Sequence, residues 1–532
     1  MRSAVVLSLA ISLLVLTGNA QENAAPLGGE PSQGPPILSF DDLVKLSSTA
    51  KPEGALGTRL DTLLNTPFVS NGGTARNAQP LRPTVQNLGP VLRVALWNIE
   101  RGLNFDLIRS ALSDRSEFEI LAEGGNRASD ARKAAIESQL SILQNVDVLV
   151  LNEVDMGMKR TEYRDVAHDL AAALHMDYSY GVEFVEVDPI FELGIEQVHL
   201  PDLQQDQQLQ DDLRVDRERY RGLHGTAILS RYPIRNARIL RLPQCYDWYG
   251  AEAREAAKLE KGKRWAAHKL FNERIARELR HGGRMALIAR LAVPDLPTGE
   301  VTIVAAHLEN KCAPACRRRQ MQMLLADIQQ DKNPVVLVGD LNTTSKTNTP
   351  TSVRDEIMGR VTDYQFWIGQ TISYFHPLGM WKHALFPVRY FHAYNDPTAF
   401  HLPILWDNRE RALFKTMERF RFSDGYTFDF RGESERTLNG MNRTLSDSNQ
   451  RARKGFVPTY AFARDYGGAV GRFKLDWIFV KPFIQDPRRR GQSSLFAPYF
   501  PVTMREMNGA LEERISDHPP LTVDLPLHSS SP

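Results

Sequence analysis

The chain has 532 residues, which is enough to build a large hydrophobic core as one large domain or two. It carries 65 Lys and Arg residues against 64 Asp and Glu residues, so its formal net charge is only +1. This balance excludes a global positive field for nucleic-acid binding and leaves only a local patch open. The hydrophobic content of 42% is ordinary for a globular protein.

The N-terminal segment is typical of a signal peptide. Arg2 is followed by an apolar run over residues 4–16 and by small residues that end at Ala20. The run is short for a membrane span, so cleavage after Ala20 is predicted, with an uncleaved anchor as the alternative. We therefore expect a secreted or periplasmic protein. Residues 21–90 are predicted to form a linker, rich in Pro, Gly and Ala at its start, and an N-terminal extension.

Three cysteines are compatible with disulfide bonding in an exported protein: Cys245, Cys312 and Cys316. The odd count leaves one of them free or bonded to another molecule. The short spacing favours a bridge between Cys312 and Cys316, while a bridge from Cys245 to either of them stays open. No second Cys or His cluster accompanies the three, so a zinc site is not expected.

From Val91 onward the pattern predicts many strands with only a few interleaved helices. Such an order is typical of two packed sheets flanked by helices. The predicted strands cover residues 91–97, 146–151, 178–187, 225–229, 285–293, 301–306, 335–338, 473–480 and 521–525, and the predicted helices cover residues 131–145, 163–175 and 317–330.

Three segments interrupt this pattern and are predicted to be insertions, at about residues 191–218, 246–281 and 343–472. The last is too long for a bare loop and should carry structure of its own. It includes an aromatic-rich stretch from Tyr364 to Trp406. That stretch is compatible with a local core or with an apolar wall over a substrate site.

Polar side chains stand where the apolar strands end. Asp340 and Asn342 follow the buried run 335–338, and because they are two apart on an extended backbone, their side chains point the same way. A carboxylate there can take a proton from water, and an amide can donate to a charged oxygen. An Asx turn is the competing interpretation of this pair.

Five further strand ends or strands carry polar groups that a buried strand tolerates only with partners. Each group alone is compatible with a turn, but together they predict a site. They are Asn98 after the first strand, Glu153 after the second, His307, the carboxylate of Asp476 inside an apolar strand, and the adjacent pair Asp517 and His518.

In this order, the motifs resemble the endonuclease/exonuclease/phosphatase superfamily, which includes secreted deoxyribonuclease I, bacterial sphingomyelinases and inositol polyphosphate 5-phosphatases. The resemblance covers about residues 91–526, with a tail over 527–532, and it rests on Trp97-Asn98, Asn152-Glu153, Gly225–Arg231, His307-Leu308, Gly339–Asn342, Leu475-Asp476 and Ser516–His518. It implies an α/β (α+β) protein with a four-layer αββα sandwich, deoxyribonuclease I-like, whose site lies at one edge of the two sheets.

The resemblance also implies phosphoester hydrolysis assisted by Mg²⁺ or Mn²⁺. Glu153 would bind the metal, with Asn98 and Asp517 close by. His307 would contact the phosphate, and Asp340 would activate or orient the attacking water. Asn342 would stabilise charge on the transition state. Asp476 would orient His518, the other candidate base. Whether Asp340 or His518 takes the proton stays open.

The chain departs from the family pattern at several positions. Several members of the family carry a second metal-site carboxylate soon after the asparagine that corresponds to Asn98. Glu100 follows Asn98 here, and whether it serves in that role stays open. A glutamate supports the first histidine in some nucleases, and Glu183 and Glu186 are both candidates. The basic run Arg317–Arg319 is interpreted as a solvated helix start, with a phosphate contact as the alternative.

These patterns predict a secreted, divalent-metal-dependent phosphoric ester hydrolase, and a phosphodiesterase more than a phosphomonoesterase. Its substrate would be a nucleic acid, a phospholipid or a small phosphodiester. A phosphomonoesterase of the same fold and a non-catalytic surface binding protein are the alternatives. No obligate protein partner is evident, and we expect a monomer.

Overall fold

The computed structural model describes residues 34–86, 89–122, 129–189, 192–195, 214–254, 278–343, 398, 401–402, 406–407, 409–429, 449–450, 456–461, 472–481, 499–511 and 514–527. The predicted signal peptide and most of the aromatic-rich stretch at 364–406 lie outside these residues. Among the described helices, none combines the length and the apolar character that a membrane crossing needs.

The larger sheet has nine strands, and its principal order is β1-β5-β6-β4-β3-β18-β17, with β2 on β3 and β8 on β5. Only β3 and β4 are parallel neighbours along this path. The strands are β1 Phe68–Ser70, β2 Thr84–Val85, β3 Gly89–Arg101, β4 Val148–Met156, β5 Asp177–Glu186, β6 Leu223–Ser230, β8 Arg280–Gly282, β17 Tyr499–Thr503 and β18 Leu521–Pro526.

The smaller sheet has five strands in the order β16-β11-β10-β9-β7, and β10 and β11 are parallel. Its strands are β7 Ile234–Arg241, β9 Met285–Ala292, β10 Glu300–His307, β11 Val335–Asp340 and β16 Asp476–Lys481. Two short hairpin pairs join β12 His401–Leu402 to β13 Trp406–Asp407 and β14 Tyr460–Ala461 to β15 Arg472–Phe473.

Helices cover the outer faces of both sheets. Those in the N-terminal half are α1 Phe40–Ser47, α2 Gly54–Asn65, α3 Gly72–Ala75, α4 Phe105–Ser113, α5 Arg115–Ala122, α6 Asp130–Leu143 and α7 Val166–Leu174, with a 3₁₀ turn at Lys159–Thr161. Those in the C-terminal half are α8 Gly250–Arg254, α9 Pro314–Ile328, α10 Arg411–Arg419 and α11 Arg505–Asn508.

The alternation of side chains along the strands builds three apolar layers between four structural layers. In β3, Val94 and Leu96 face the smaller sheet, whereas Ala95 and Trp97 face the helices α4, α6 and α7. The outer face of the smaller sheet packs on α9 and α10, and Leu337 of β11 shares one apolar core with Leu324 of α9 and Phe414 of α10. The predicted four-layer αββα sandwich is therefore confirmed.

The twelve predicted strands and helices recur with shifted ends, but some elements were missed. The edge strand β7 is half-exposed, and three arginines interrupt its eight residues, so it lacks the apolar run on which the prediction relied. Helices α4 and α5 were also not predicted. Strand β8 lies at the end of the predicted insertion 246–281, where it pairs with β5.

The favoured cysteine pairing was wrong, because Cys245 is bonded to Cys316 and Cys312 is a buried free thiol. Cys316 lies in the first turn of α9, and its side chain meets the loop that follows β7. Cys312 precedes the helix, and its Sγ lies 3.5 Å from the carbonyl oxygen of Glu309. The two nearby cysteines therefore face different neighbours, which their spacing alone could not show.

The interpretation of the basic run as a solvated helix start was wrong for its first residue. Arg317 is fully buried and forms an ion pair with Glu410, which immediately precedes α10. The guanidinium also donates to the carbonyl oxygens of Glu309 and Cys312, both at 3.2 Å. The cation therefore fixes α10, from the longest predicted insertion, to the start of α9.

Candidate active site

The predicted site residues meet at one edge of the sandwich because the strands that carry them end there. In the larger sheet, Asn98 pairs with Asn152 across the parallel strands β3 and β4. In the smaller sheet, His307 pairs with Asp340 across the parallel strands β10 and β11. Asp476 opens β16 directly opposite Asp340. The two parallel pairs thus direct their carboxyl ends to the same edge.

Local backbone irregularities direct the acidic side chains into this edge. Glu100, Glu153 and Asn342 have positive φ angles of 48°, 52° and 49°, which is uncommon outside glycine. The pairing register shifts between Asn98 and Arg101 and again around Glu153, as in β-bulges, which often lie beside active sites. The strain is concentrated where the sheet must present carboxylates rather than continue its ladder.

Gly339 permits the close approach of the two central strands of the smaller sheet. Its φ is +156°, and a Cβ there would lie 1.7 Å from the carbonyl oxygen of Ala306. Any side chain at this position would push β11 away from β10. The glycine before Asp340 therefore fixes the carboxylate beside His307.

Asp340 lies at the centre of the site. Its Oδ2 lies 3.9 Å from Nε2 of His307 and 3.9 Å from Nε2 of His518, and it accepts from Nδ2 of Asn98 at 3.3 Å. Its Oδ1 accepts the backbone N–H of Asn342 at 2.8 Å. Burial and the nearby charge of Asp476 raise the pKa of Asp340 above its ordinary value. The carboxylate is thus held between two imidazoles and made more basic.

His518 is supported by a carboxylate on its far side. Its Nδ1 lies 2.7 Å from Oδ2 of Asp476, and its Nε2 lies 3.8 Å from Oδ1 of Asp517. Burial alone would lower the pKa of His518, but the charges of Asp476 and Asp517 outweigh it and hold that pKa well above its ordinary range. The two carboxylates therefore favour the protonated form of the His518 ring.

His307 has a different environment, because its supporting carboxylate is shared. Oε2 of Glu183 lies 3.3 Å from Nδ1 of His307 and accepts from Nη1 of Arg284 at 2.7 Å. The same Nη1 lies 2.8 Å from Nδ1 of His307. Of the two candidates that the sequence left open, Glu183 lies beside the histidine, whereas Glu186 pairs with Arg160.

A chain of buried hydrogen bonds connects Glu183 to Asp340 across the two sheets. Thr226 donates to Oε1 of Glu183 at 2.7 Å and accepts from Nδ2 of Asn152 at 3.0 Å. Oδ1 of Asn152 in turn accepts the backbone N–H of Asp340 at 2.9 Å. Because every link is buried, the chain fixes the separation of the histidine and the carboxylate.

A second group contains three carboxylates, Glu100, Glu153 and Asp517. Oε2 of Glu100 accepts the backbone N–H of Asp517 at 3.1 Å. Burial and the charges of Asp517 and Glu153 raise the pKa of Glu100 to about 7. Burial acts in the same direction on Glu153, but the charges of His307 and Arg101 outweigh it and lower that pKa to about 2. The mutual repulsion in this group is what a bound cation would relieve.

These three carboxylates offer the oxygen ligands that a hard divalent cation prefers, but their ligand atoms do not all lie within 4.8 Å of one another in this structure. Asn98 lies beside them, but its Oδ1 already accepts the backbone N–H of Glu100 at 3.1 Å, so its role as a ligand stays a prediction. Among the described Asp, Glu, His and Cys side chains, the group whose donor atoms all lie within 4.8 Å of one another is instead Asp340, Asp476 and His518. In that group, Nδ1 of His518 already bonds to Oδ2 of Asp476 at 2.7 Å, so a metal ion would have to compete with this contact.

Asn342 is buried, and its Nδ2 donates to the carbonyl oxygen of Leu308 at 3.0 Å. This bond orients the amide beside His307, and the second N–H of Nδ2 remains to contact a substrate oxygen. The predicted role of Asn342 as a transition-state donor is compatible with this placement and stays a prediction.

Sequence reasoning missed Thr226 and Arg284. Thr226 lies inside the motif Gly225–Arg231, but its hydroxyl acquires a role only when β5 and β4 flank β6. Arg284 precedes an apolar strand, where a charged residue is ordinarily a solvated strand end. The signal available was weak, since the partners of Arg284 lie at distant positions 183 and 307.

The sequence profile of the Endonuclease/Exonuclease/phosphatase family matches residues 95–518, well over half of the chain. The chain belongs to this family. Members of the family are generally phosphoester hydrolases, and the matched span includes all the predicted site residues. No curated protein sequence matches the chain.

Several solved structures of this family or of related enzymes resemble the chain at low identity. An endonuclease/exonuclease/phosphatase from Beutenbergia cavernae DSM 12333 is 16% identical, with 82% of this chain and 71% of that one covered and a TM-score of 0.32. A 3′-5′ exonuclease from Neisseria meningitidis is 12% identical, with 81% of this chain and 99% of that one covered and a TM-score of 0.36. The human Nocturnin catalytic domain with bound sulfate is 14% identical, with 82% of this chain and 93% of that one covered and a TM-score of 0.32.

Proposed function

We propose that the protein is a divalent-metal-dependent phosphodiesterase in which water attacks phosphorus in line. The observation that carries this proposal is the convergence of two imidazoles on Asp340, with Nε2 of His307 and of His518 each 3.9 Å from its Oδ2. Each imidazole is supported by a carboxylate behind it, Glu183 or Asp476. A site that must move protons and bind an anion needs such groups in opposite protonation states.

Asp340 is the group that takes the proton from the attacking water. Its raised pKa makes it a stronger base than an ordinary aspartate, and a cation opposite it would favour the ionised form. His518 is the worse candidate for the base, because its raised pKa favours the protonated ring. The imidazolium instead binds a phosphate oxygen, and Asp476 fixes its orientation.

His307 contacts the scissile phosphate from the other side of Asp340. Glu183, which also pairs with Arg284, supports the ring at Nδ1, and Nε2 of the ring lies toward Asp340. It can therefore give a proton to the leaving oxygen. The second N–H of Asn342 stabilises the charge that develops on the phosphoryl oxygens.

Glu100, Glu153 and Asp517 would hold the metal, which is Mg²⁺ or Mn²⁺ by the chemistry of an all-oxygen donor set. When bound, a divalent ion supplies charge neutralisation for the phosphate oxygens. The pKa of about 7 at Glu100 supports a cation at this position, because three half-buried carboxylates repel one another without one.

Single substitutions test the proposal. His307→Ala, Asp340→Ala and His518→Ala should each lower kcat by about 10²- to 10⁴-fold on a phosphodiester substrate, and chelation should do likewise. Arg238→Ala is the matched control, because Arg238 is half-exposed and pairs with Asp327 away from the site. Circular dichroism checks that the variants fold. If all three kept wild-type turnover, the assigned mechanism would be wrong.

A panel of substrates identifies the chemistry and tests the alternatives. It should contain single- and double-stranded DNA, RNA, sphingomyelin, phosphoinositides, a chromogenic phosphodiester and the corresponding monoester, each with Mg²⁺ and with Mn²⁺. Faster hydrolysis of the monoester would favour a phosphomonoesterase. Metal binding without turnover on any substrate would favour a non-catalytic binding protein.

Export is part of the proposal and rests on the sequence of residues 1–20 alone. N-terminal sequencing of the protein purified from the medium or the periplasm tests it, with a start at Gln21 as the expected result. A start at Met1 would contradict cleavage.

A further inference from the structure

A short segment of the longest predicted insertion returns to the active site just before β16. Residues 456–461 include β14, in which Tyr460 pairs with Phe473 of β15. The backbone N–H of Thr459 also donates to the carbonyl oxygen of Phe473 at 2.9 Å. The segment is therefore tied to the chain that leads into Asp476 at the start of β16.

The insertion also closes the outer edge of β16. This strand is the last in the order of the smaller sheet, so no further strand pairs with it in the part of the chain that the structure describes. Instead, the side-chain amide of Asn449 donates to the carbonyl oxygen of Ile478 at 2.9 Å and accepts the N–H of the same residue at 3.0 Å. A side chain of the insertion thus takes the place of a neighbouring strand and satisfies buried backbone groups.

Thr459 continues this edge at the end of β16 that lies in the active site. Its Oγ1 accepts the backbone N–H groups of Leu475 at 3.0 Å and of Asp476 at 2.9 Å, and the residue is fully buried. One hydroxyl therefore fixes two successive peptide groups. Because the side chain of Asp476 is short, this hydroxyl also sets the position from which the carboxylate reaches His518.

Tyr460, the next residue, packs on the imidazole of His518. The two ring centroids are 5.0 Å apart with 58° between the ring planes, and Tyr460 is buried. The ring of Phe473 lies on Tyr460 at a centroid distance of 6.1 Å. Tilted contacts at such separations are favourable for aromatic pairs. Tyr460 therefore favours the orientation of the imidazole in which Nδ1 faces Asp476.

The same segment thus contacts both members of a pair that spans the two sheets. His518 belongs to the loop before β18 of the larger sheet, where its carbonyl oxygen accepts the indole N–H of Trp97 at 2.9 Å. Asp476 belongs to the smaller sheet. Neither sheet alone fixes the distance of 2.7 Å between Nδ1 of His518 and Oδ2 of Asp476. Thr459 and Tyr460 contact the pair from one short stretch of chain.

The apolar surroundings of Tyr460 are small and local. Tyr460, Phe473 and Leu475 form a cluster of their own, separate from the three larger apolar cores of the sandwich. Removal of the Tyr460 ring should therefore leave the sandwich folded. The effect of such a change can then be assigned to the pair that Tyr460 contacts.

We propose that Thr459 and Tyr460 are positioning residues of the active site, through which the longest predicted insertion sets the geometry of the pair Asp476 and His518. Thr459 fixes the backbone that carries the carboxylate, and Tyr460 fixes the imidazole. This inference rests on the proposed phosphodiesterase function for its effect on turnover, whereas its effect on the pair itself is independent of any substrate. The end of the insertion thereby acts in turnover without a contact to the substrate.

Proton NMR of the metal-free protein tests the positioning without turnover. A carboxylate only accepts, so Nδ1 of His518 carries the proton of the short bond, which should resonate downfield of the backbone amides. Its absence in His518→Gln assigns the resonance. Thr459→Val and Tyr460→Leu should each shift it upfield or broaden it beyond detection. Thr416→Val, which removes a hydroxyl of α10 in the same insertion, should leave it unchanged. An unchanged resonance in both Thr459→Val and Tyr460→Leu would overturn the positioning role.

Steady-state kinetics on a phosphodiester with Mg²⁺ give a second readout. Thr459→Val and Tyr460→Leu should each lower kcat/KM about 10- to 100-fold, because His518 then meets the phosphate in the wrong orientation. Thr459→Ser keeps the acceptor and Tyr460→Phe keeps the ring, so each should recover most of the loss, and Thr416→Val should match the wild type. If Thr459→Val does not fold, as judged by circular dichroism, the comparison of Tyr460→Leu with Tyr460→Phe decides.

The positioning role and the phosphodiesterase assignment can fail separately. Wild-type kcat/KM and an unchanged resonance in Thr459→Val and Tyr460→Leu, with or without a loss of stability, would overturn the positioning role and leave the assignment intact. A changed resonance in both variants, with no hydrolysis of any phosphodiester by the wild type, would overturn the assignment and leave the positioning of His518.

Discussion

Asp476 and Glu183 support the two histidines of the site in unlike ways. The bond between Asp476 and His518 is short, at 2.7 Å, and no arginine shares that carboxylate oxygen among the described contacts. Oε2 of Glu183 lies 3.3 Å from Nδ1 of His307 and forms a closer ion pair with Nη1 of Arg284, at 2.7 Å. The two imidazoles beside Asp340 therefore have differently built supports, a carboxylate alone at His518 and a carboxylate shared with an arginine at His307.

Asp476→Asn tests the stronger of these pairs. The change removes the charge but keeps the size of the side chain, so His518 should lose its proton more readily and bind phosphate less well. We expect kcat/KM to fall by about 10²- to 10⁴-fold at neutral pH, with the loss smaller at lower pH, where the imidazole is protonated again. Asp327→Asn, at a surface ion pair with Arg238, is the control. A pH profile of kcat/KM that matches the wild type would contradict the assignment.

Arg284 is predicted to act as a positioning residue through Glu183 and His307. Arg284→Gln leaves the carboxylate of Glu183 buried without its cation, so the protein should lose about 3–5 kcal/mol of unfolding free energy. The double variant Arg284→Gln with Glu183→Gln removes both charges and should recover much of that stability. Its kcat should nevertheless stay about 10- to 100-fold below the wild type, because His307 loses its orientation.

Denaturant unfolding and steady-state kinetics on the same three proteins check this prediction. A purely structural role predicts that kcat recovers together with stability in the double variant. A positioning role predicts that stability recovers and kcat does not. The conservative variant Arg284→Lys, which keeps the charge, should recover part of both.

The residues that the sequence could predict are those whose chemistry conflicts with their local surroundings. Asp340 and Asp476 stand beside or within apolar runs, so their need for partners is visible in the chain itself. Glu183 was one of two equal candidates, because only the register of β5 decides which of positions 183 and 186 turns toward His307. Arg284 could not be predicted, since both of its partners come from other strands.

At the scale of elements, strand ends and bulges place the site. Buried parallel strands are continuously apolar, so the apolar sequence runs of four strands could be predicted: β3, β4, β10 and β11. Their bulges were not, because the irregular backbone at Glu100 and Glu153 depends on pairing with the neighbouring strand. The same holds for the disulfide, which follows from how the loop after β7 meets α9.

The disulfide between Cys245 and Cys316 should contribute to stability by closing a loop of 71 residues in sequence. Cys245→Ser is expected to lower the free energy of unfolding by about 2–4 kcal/mol, since the unfolded chain gains freedom. The loop it anchors carries Trp248, whose indole N–H donates to Oε2 of Glu309 at 2.9 Å. Because Glu309 lies two residues after His307, kcat should fall as well.

Cys312→Ser is the matched control, because Cys312 is not bonded to another cysteine in the structure. It should keep the disulfide and most of the stability. Peptide mapping under non-reducing conditions should recover Cys245 and Cys316 in one linked pair. A linked pair containing Cys312 and Cys316 would contradict the observed pairing.

At the scale of the whole molecule, the site lies across the two sheets. The larger sheet and its loops supply Asn98, the three carboxylates and His518, and the smaller sheet supplies His307, Asp340 and Asp476. Asn98 and Asn152 cross between them, each with a bond to Asp340. Any change that separates the sheets therefore breaks the site before it unfolds the layers, so activity should be lost before secondary structure in denaturant.

The group of three carboxylates, Glu100, Glu153 and Asp517, makes the stability of the metal-free molecule depend on pH. Glu100 has an ordinary pKa of 4.5, and burial together with the charges of Asp517 and Glu153 raises it to about 7 in the folded state. The folded protein thus binds more protons than the unfolded chain between these values. Stability from this group is fully present below pH 4.5 and is lost as the pH rises through 7.

In the presence of a chelator, the free energy of unfolding of the wild type should fall between pH 5 and 8. Glu100→Gln should make this fall smaller. Glu137→Gln, a change at an exposed position on α6, is the control and should keep the wild-type slope. A saturating divalent ion should stabilise the wild type more at pH 8 than at pH 5, because binding requires ionised carboxylates; at a hundredfold excess over Kd the gain is about 2.7 kcal/mol. Glu100→Gln should reduce that gain at pH 8. Denaturant unfolding at each pH, with and without Mg²⁺, measures both effects, and a variant that keeps the wild-type slope and the full Mg²⁺ stabilisation would show that Glu100 does not belong to the cation site.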